Sequence, residues 1–206
     1  MNDNNILAVI LAGGKSKRFG EDKNLAKLGS ISLIEHTIYK IREKFKKILI
    51  IANNDLKVEE FKDIEIIPDH IKGNLGPLVG VLTAMKWAKQ SKENYKWIAT
   101  FPSDTPFFDS SIIEKYEKKI IKNDSPLYFV RSDDKRHNIF GLWSLDLLDI
   151  LEKDIVKNNF RKVEDWANKI GVKTINIKFK KFDPFLNINT KEDLIEAEKI
   201  LKNYKK

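Results

Sequence analysis

Residues 13–23 read Gly-Gly-Lys-Ser-Lys-Arg-Phe-Gly-Glu-Asp-Lys, so two adjacent glycines are followed by Lys15, Lys17, Arg18 and Lys23. Paired glycines let the backbone turn tightly and offer several N–H groups to a ligand at close range, with no side chain in the way. Fixed cations around such a nest suit phosphate, and this many suit a triphosphate. A second group able to do chemistry is Asp104, in Pro102-Ser103-Asp104-Thr105-Pro106. A carboxylate is the hard oxygen ligand that Mg2+ accepts when waters and substrate phosphates supply the rest. Together these are the parts of phosphoryl or nucleotidyl transfer, in which the protein positions the reactants and neutralises developing charge. The sequence has no cysteine, and no pattern pairs His36, His70 or His137 with a serine, so covalent catalysis has little support.

Two familiar phosphate loops do not fit. A P-loop needs a glycine five residues before the glycine of Gly14-Lys15-Ser16, and that position is Val9. A dinucleotide fingerprint needs G-x-G-x-x-G, which no register of Gly13, Gly14 and Gly20 provides.

The elements that must carry these groups follow from periodicity. Residues 6–12 are seven consecutive apolar positions, a strand buried on both faces that stops at the glycine pair. Further short strands are expected at 48–52, 65–67 and 97–101. Between them come a helix capped by Ser32 and Glu35 and running towards Phe45, and one opened by Pro77 with Leu78, Val81, Leu82 and Met85 on its stripe. In open α/β sheets ligands bind beyond the carboxyl ends of the strands, where the strand order reverses, so Asp104 is expected opposite the glycine loop. A helix at 111–122 starts with a Ser111/Glu114 capping box. Strands at 127–131 and 139–144, separated by a charged turn at 133–136, then end the regular alternation. Helices at 145–152 and 160–169, a strand at 173–179 and a helix capped by Thr190 and Asp193, with Leu194, Ala197 and Leu201 inward, complete the chain. This predicts a single-domain, Rossmann-like three-layer α/β/α fold with a mostly parallel central sheet. Its nucleotide-binding part would cover about 1–110 and its acceptor-binding part about 111–206.

Residues 11–23 closely resemble the signature of the molybdenum cofactor guanylyltransferases (the MobA family), L-A-G-G-x-S-x-R-[MF]-G-x-D-K. Asp69 with Gly76-Pro77-Leu78-Val79-Gly80, Asp104-Thr105-Pro106, and Asn187-Ile188-Asn189-Thr190 before Leu194 are similar to further motifs of that family. The resemblance implies a nucleotidyltransferase fold and Mg2+-dependent transfer of GMP from GTP to the terminal phosphate of molybdenum-molybdopterin. Arg18, Lys23 and Asp104 would be catalytic, with Asp104 holding the metal. Leu11, Ala12, Gly13, Gly14, Lys23, Asn53, Asp69, Gly76 and Asp104 would bind the nucleotide. Arg161, Lys162, Asn187 and Asn189 would face the acceptor. The family usually has proline after the histidine at position 137, where this chain has Asn138. Molybdenum-insertion or pterin-carrier proteins are implied as partners. Related enzymes transfer CMP to molybdopterin or to other phosphates, but resemble L-A-A-G at the loop, so by resemblance Gly13 and the Gly76 to Gly80 motif favour guanine.

A non-catalytic nucleotide-binding or RNA-binding protein is the alternative of another class. Of the 38 lysines and arginines behind the net charge of +8, only five are arginine, the residue that reads bases and clamps phosphates. The lysines form no stripe, so no nucleic-acid partner is expected. The start of the chain, Met-Asn-Asp-Asn-Asn, lacks the positive charge of a signal peptide. With seven residues as the longest apolar run, no membrane partner and a cytoplasmic location are expected.

Overall fold

The computed structural model describes residues 5–13, 19, 23–54, 56, 63–71, 73, 75–179 and 182–204. In chain order the elements are β1 (Ile6–Leu11), a 3-10 turn (Lys23–Leu25), β2 (Lys27–Leu28), β3 (Ile31–Ser32), α1 (Leu33–Ile41), β4 (Ile48–Ile51), β5 (Ile64–Ile67), α2 (Pro77–Gln90) and β6 (Trp97–Pro102). They continue with α3 (Ile112–Lys122), β7 (Leu127–Ser132), β8 (Lys135–Ser144), a 3-10 turn (Leu145–Leu147), α4 (Leu148–Val156), α5 (Val163–Ile170), β9 (Lys173–Ile177) and α6 (Lys191–Tyr204).

The seven-stranded sheet has the order β5-β4-β1-β6-β8-β7-β9. β1 is parallel to β4 on one side and to β6 on the other, while β8 runs antiparallel to both β6 and β7. Helices cover both faces, which is why β1 is apolar at every position. Ile6, Ala8 and Ile10 enter one core with Ile34, Ile38 and Ile41 of α1 and Ile112, Ile113 and Tyr116 of α3. Leu7 and Val9 enter the other, with α2, α4 and α5. The three-layer α/β/α expectation holds. A third cluster joins Ala26 and Leu28 of the β2–β3 hairpin to Ala197 of α6, so the last helix returns to the first quarter of the chain.

Several boundaries differ from the sequence expectation. α1 ends at Ile41, not near Phe45. The Ser111/Glu114 box does not form: Ser111 is itself helical in its backbone, with no side-chain cap, and its N–H is taken by Asp109 Oδ1 at 2.7 Å. β8 begins at Lys135 rather than 139, leaving Asp133-Asp134 as the turn, with Asp133 at φ 47°. Lys135 and Arg136, which read as half of the charged turn, thus belong to the sheet together with His137 and Asn138. α4 runs on to Val156, α5 starts only at Val163, and β9 stops at Ile177.

Candidate active site

Because β1 connects outward to β4 and the chain later returns to β6 on its other side, the sheet order reverses between β1 and β6. Leu11 is paired with Pro102 there. Two buried polar side chains stitch the two strand ends together. Asn24, 5% exposed, donates from Nδ2 to Ala12 O at 3.0 Å, and Ser103 Oγ donates to Asn24 Oδ1 at 2.6 Å. Holding Asn24 fixes its neighbour. Lys23 Nζ lies 2.6 Å from Asp104 Oδ2 and donates to Asn189 Oδ1 at 3.0 Å. The segment carrying Asn189 is itself docked on the end of β6, through Ile188 N to Asp104 O at 2.9 Å and Thr105 Oγ1 to Asn187 Oδ1 at 2.9 Å. Asp193 accepts from the N–H groups of Asn189 and Thr190, and its own N–H is held by Thr190 Oγ1, the expected cap of α6. Lys23, Asp104 and Asn189 therefore converge from three distant parts of the chain. The Lys23 and Asp104 side chains are only 18% and 17% exposed, so their attraction is less screened than that of a surface pair.

This cluster heads a cavity of about 890 Å³. Leu11, Gly13, Lys23 and Asp104 line one end, and Gly76 and Pro77 at the start of α2 line a side. The opposite wall comes from β8 and from the segment leading into α5. The register of β7 against β8 shifts there: Phe129 faces Gly141 but Val130 faces His137, so residues 138–140 bulge from the ladder into the cavity lining. Gly76, at φ 84°, touches the far wall; a Cβ on it would come within 3.0 Å of Arg161 O.

The sequence-derived residues distribute unevenly over this frame. Arg161, Lys162 and Asn187 line the cavity, but the Arg161 guanidinium is turned to its own loop, donating to Ile155 O and Phe160 O at 2.8 Å each. Lys162 is exposed and makes no ion pair among the described residues. Ala12, Asn53, Asp69 and Asn189 are outside the cavity lining, Asn189 reaching it only through its hydrogen bond with Lys23. Asn53 Nδ2 donates to Asp69 Oδ2 at 2.7 Å and Asp69 N to Asn53 Oδ1 at 3.0 Å, a reciprocal pair just beyond β4 and β5. Gly80 of α2 lets Leu11 and Asp69 approach the helix: a Cβ there would meet Leu11 Cδ2 at 3.0 Å and Asp69 Oδ1 at 3.6 Å. Gly14 and Arg18 lie outside the described residues.

One sequence expectation is corrected here, since a histidine does pair with a serine. His137 Nε2 lies 2.6 Å from Ser132 Oγ, and its ring stacks on Phe185 with centroids 4.3 Å apart. The signal was present but indirect. A two-residue turn puts residues five apart on the same face of a hairpin, as diagonal neighbours across the strands. Asn24 and Ser103 were missed for a similar reason, each being a neighbour of a motif residue whose partner lies far along the chain.

A sequence model of the MobA-like NTP transferase domain matches residues 8–169. The chain belongs to this family. Relatives named molybdenum cofactor guanylyltransferase are 32% identical over 197 residues in Rhizobium rhizogenes (93% of this chain, 90% of the relative) and 33% identical over 196 residues in Rhizobium meliloti (93% and 89%). Among solved structures, molybdopterin-guanine dinucleotide biosynthesis protein A of Archaeoglobus fulgidus superposes with a TM-score of 0.76 at 24% identity, covering 96% of this chain and 99% of its own. A 4-diphosphocytidyl-2C-methyl-D-erythritol synthase from Anaerococcus prevotii shares the fold at a TM-score of 0.70 and 13% identity, covering 98% and 97%.

As a MobA-like NTP transferase the chain is a nucleotidyltransferase, and the site has the parts that such a reaction asks for. Asp104, just beyond β6, and Lys23, in the 3-10 turn, bring a carboxylate and a lysine together at the switch point of the sheet. The cavity lies beside both groups, and Lys135, Arg136 and Lys162 add cations to its lining. No helix among the described residues is long and apolar enough to cross a membrane.

Proposed function

We propose that this enzyme transfers GMP from GTP to the terminal phosphate of molybdopterin carrying molybdenum, releasing pyrophosphate and forming the molybdopterin guanine dinucleotide. The observation that carries this reading is the convergence of Lys23, Asp104 and Asn189 at the β1/β6 junction, at the head of the two-walled cavity. The names of its relatives supply the guanylyl group and the molybdenum cofactor, and that of the Archaeoglobus fulgidus structure the molybdopterin.

The residues present fit Mg2+. Asp104 offers a hard carboxylate with amide oxygens of Asn187 and Asn189 close by, and Mg2+ commonly takes one or two carboxylates and completes its shell with water and phosphate. Among the described residues no group of three or more acidic, histidine or cysteine side chains could form an all-protein cage, the pattern that Mg2+ does not need. Bound at Asp104, Mg2+ would supply charge neutralisation of the triphosphate.

An oxygen of the acceptor phosphate attacks the α-phosphorus of GTP, and the bond from that phosphorus to the α–β bridging oxygen breaks, the electron pair leaving with pyrophosphate. No general base is required, because a phosphate monoester is already an anion at pH 7. Lys23 and Arg18 neutralise charge on the leaving pyrophosphate. The backbone of Leu11, Ala12, Gly13 and Gly14 approaches the nucleotide, with Asn53, Asp69 and Gly76 along its base and ribose. Lys162, Asn187 and Asn189 face the acceptor, while Arg161 shapes that wall through its backbone. On this reading the enzyme works in the cytoplasm, where GTP is available, and receives the pterin from a carrier or molybdenum-insertion protein.

The test is thermal denaturation with Mg2+ and each of GTP, CTP, ATP and UTP. A ligand at a hundred times its Kd stabilises by about 2.7 kcal/mol, a rise of roughly 5–10 °C for a chain of this size. The rise is expected with GTP alone and lost in Asp104→Asn, whose turnover drops by about two to three decades. A response to CTP instead moves the enzyme to the cytidylyl branch. Asp104→Asn turnover within tenfold of the wild type removes the metal role.

A further inference from the structure

The β7–β8 hairpin carries a side-chain arrangement that the reaction above does not use. Ser132 is 2% exposed, and among the described residues its hydroxyl has one partner, His137 Nε2, at 2.6 Å. A buried hydroxyl proton is costly to leave unpaired, so it points at Nε2, which therefore accepts. A neutral imidazole that accepts at one nitrogen carries its proton on the other. Nδ1 is thus the N–H. It makes no hydrogen bond, yet the only buried side-chain N or O without a partner among the described residues is Tyr116 Oη, so Nδ1 is not sealed from solvent, and His137 lines the cavity. Ser132 is outside that lining, which removes it as a nucleophile and leaves it the part of fixing the tautomer.

The ring is also held in place. It stacks on Phe185 at 4.3 Å and 27°, and Phe185 leads directly into Asn187 and Ile188, the residues tied to Thr105 and Asp104. A five-residue segment therefore links the imidazole to the reaction centre. Immediately after His137 the strand bulges into the cavity, so the donor sits where β8 leaves its regular pairing. Lys135 and Lys162 line the same wall, and neither has an ion-pair partner among the described residues.

The geometry points to His137 as the binding residue for the acceptor's phosphate: a neutral Nδ1–H donor, aimed by Ser132 and Phe185, beside the countercharges of Lys135 and Lys162. This rests on the nucleotidyl-transfer reading above and adds to it the group that meets the nucleophile. Neutrality matters chemically. A phosphate monoester has a second pKa near 6, so an imidazolium of ordinary pKa would share its proton with the phosphate and blunt the attacking oxygen. Burial, opposed by Asp183 and reinforced by Lys135, lowers the His137 pKa to about 4, so at pH 7 it donates a hydrogen bond with no proton to surrender.

Two measurements test this. Long-range 15N NMR of the whole chain should show His137 as the Nδ1–H tautomer, with its Nδ1 shift moving when inorganic phosphate is titrated in. Ser132→Ala should turn the ring into a tautomer mixture. An Nε2–H tautomer, or an Nδ1 signal indifferent to phosphate, overturns the assignment whatever the enzyme's substrates prove to be. In GMP transfer, His137→Phe keeps the stacking surface and removes the donor. A hydrogen bond to a charged group corresponds to about a ten- to hundredfold loss in kcat/KM for the acceptor, with KM for GTP unchanged. Equal losses for both substrates, or no loss, also overturn it. A wild-type enzyme that makes no molybdopterin dinucleotide defeats the proposed function, and the NMR result then decides the role of His137 alone.

Discussion

His137 is 8% exposed and shares its surroundings with Lys135, so protonating it in the folded chain costs more than in water, and its pKa falls from 6.5 to about 4. An unfolded chain takes up this proton near pH 6.5 and the native one only near 4. The stability that depends on the neutral ring is therefore complete above about pH 6.5 and is lost as the pH falls through the window between the two values. Within that window the unfolded state holds about one more proton, which makes stability rise with pH by up to about 1.4 kcal/mol per unit. His36 is pushed in the same direction by burial, and the lowered carboxylates Asp109 and Asp154 also lose stabilisation on acidification. A comparison between variants cancels those contributions. Urea titrations at steps from pH 4.5 to 7 should give a slope shallower by about one proton in His137→Phe than in the wild type. Identical slopes would mean that the ring is protonated at its ordinary pKa.

Elements were legible in the sequence wherever a single physical demand decided their residues. β1, β4 and β6 are buried on both faces, so they read as short, largely apolar runs. The Ser32 and Thr190 caps close within four residues. Ser111 has the same letters as Ser32, but Asp109 captures its N–H first, a competition that the motif cannot express. β8 was half hidden because Lys135 to Asn138 are polar, and only the partner strand makes them sheet. The site followed the same rule: Lys23 and Asp104 sit in recognisable local patterns, while Ser132–His137 and Asn24–Ser103 exist through tertiary contact. Gly141 shows how tightly β8 is then held. Thr100 Oγ1 accepts from Gly141 N at 3.2 Å and Trp143 Nε1 at 2.9 Å, and a Cβ on Gly141 would fall inside the Trp143 Nε1 contact and 2.8 Å from Phe129 Cε1. Gly141→Ala therefore has to displace buried rings, an overpacking cost of about 1–3 kcal/mol. For a chain of this length that is a fall in Tm of roughly 2–12 °C, read by calorimetry. A Tm within 1 °C of the wild type would show that the rings at this strand can shift freely.

At the scale of the whole molecule, the parts assigned to nucleotide and acceptor share their cores. β6 pairs with β1 on one edge and with β8 on the other, so the sheet passes through the boundary near residue 110 without a break. On one face Leu78, Val81, Leu82 and Met85 of α2 lie in the same cluster as Leu151 of α4 and Trp166 of α5. On the other, Tyr128 and Phe140 join the residues of β1 and α1. α6 then reaches back to the β2–β3 hairpin, where Gly29 N donates to Glu198 Oε1 at 2.7 Å. Cutting such a chain exposes a sheet edge and two half-covered apolar faces at once, and neither piece retains a closed core. Equilibrium unfolding in urea should accordingly be one transition, with far-UV circular dichroism and tryptophan fluorescence superimposable. A fragment of residues 1–110 should show no cooperative transition of its own. Two separated transitions, or a folded fragment, would mean that the substrate halves are independent units. The alignment of Lys23, Asp104 and Asn189, contributed by both halves, would then depend on how those units dock rather than on one continuous sheet.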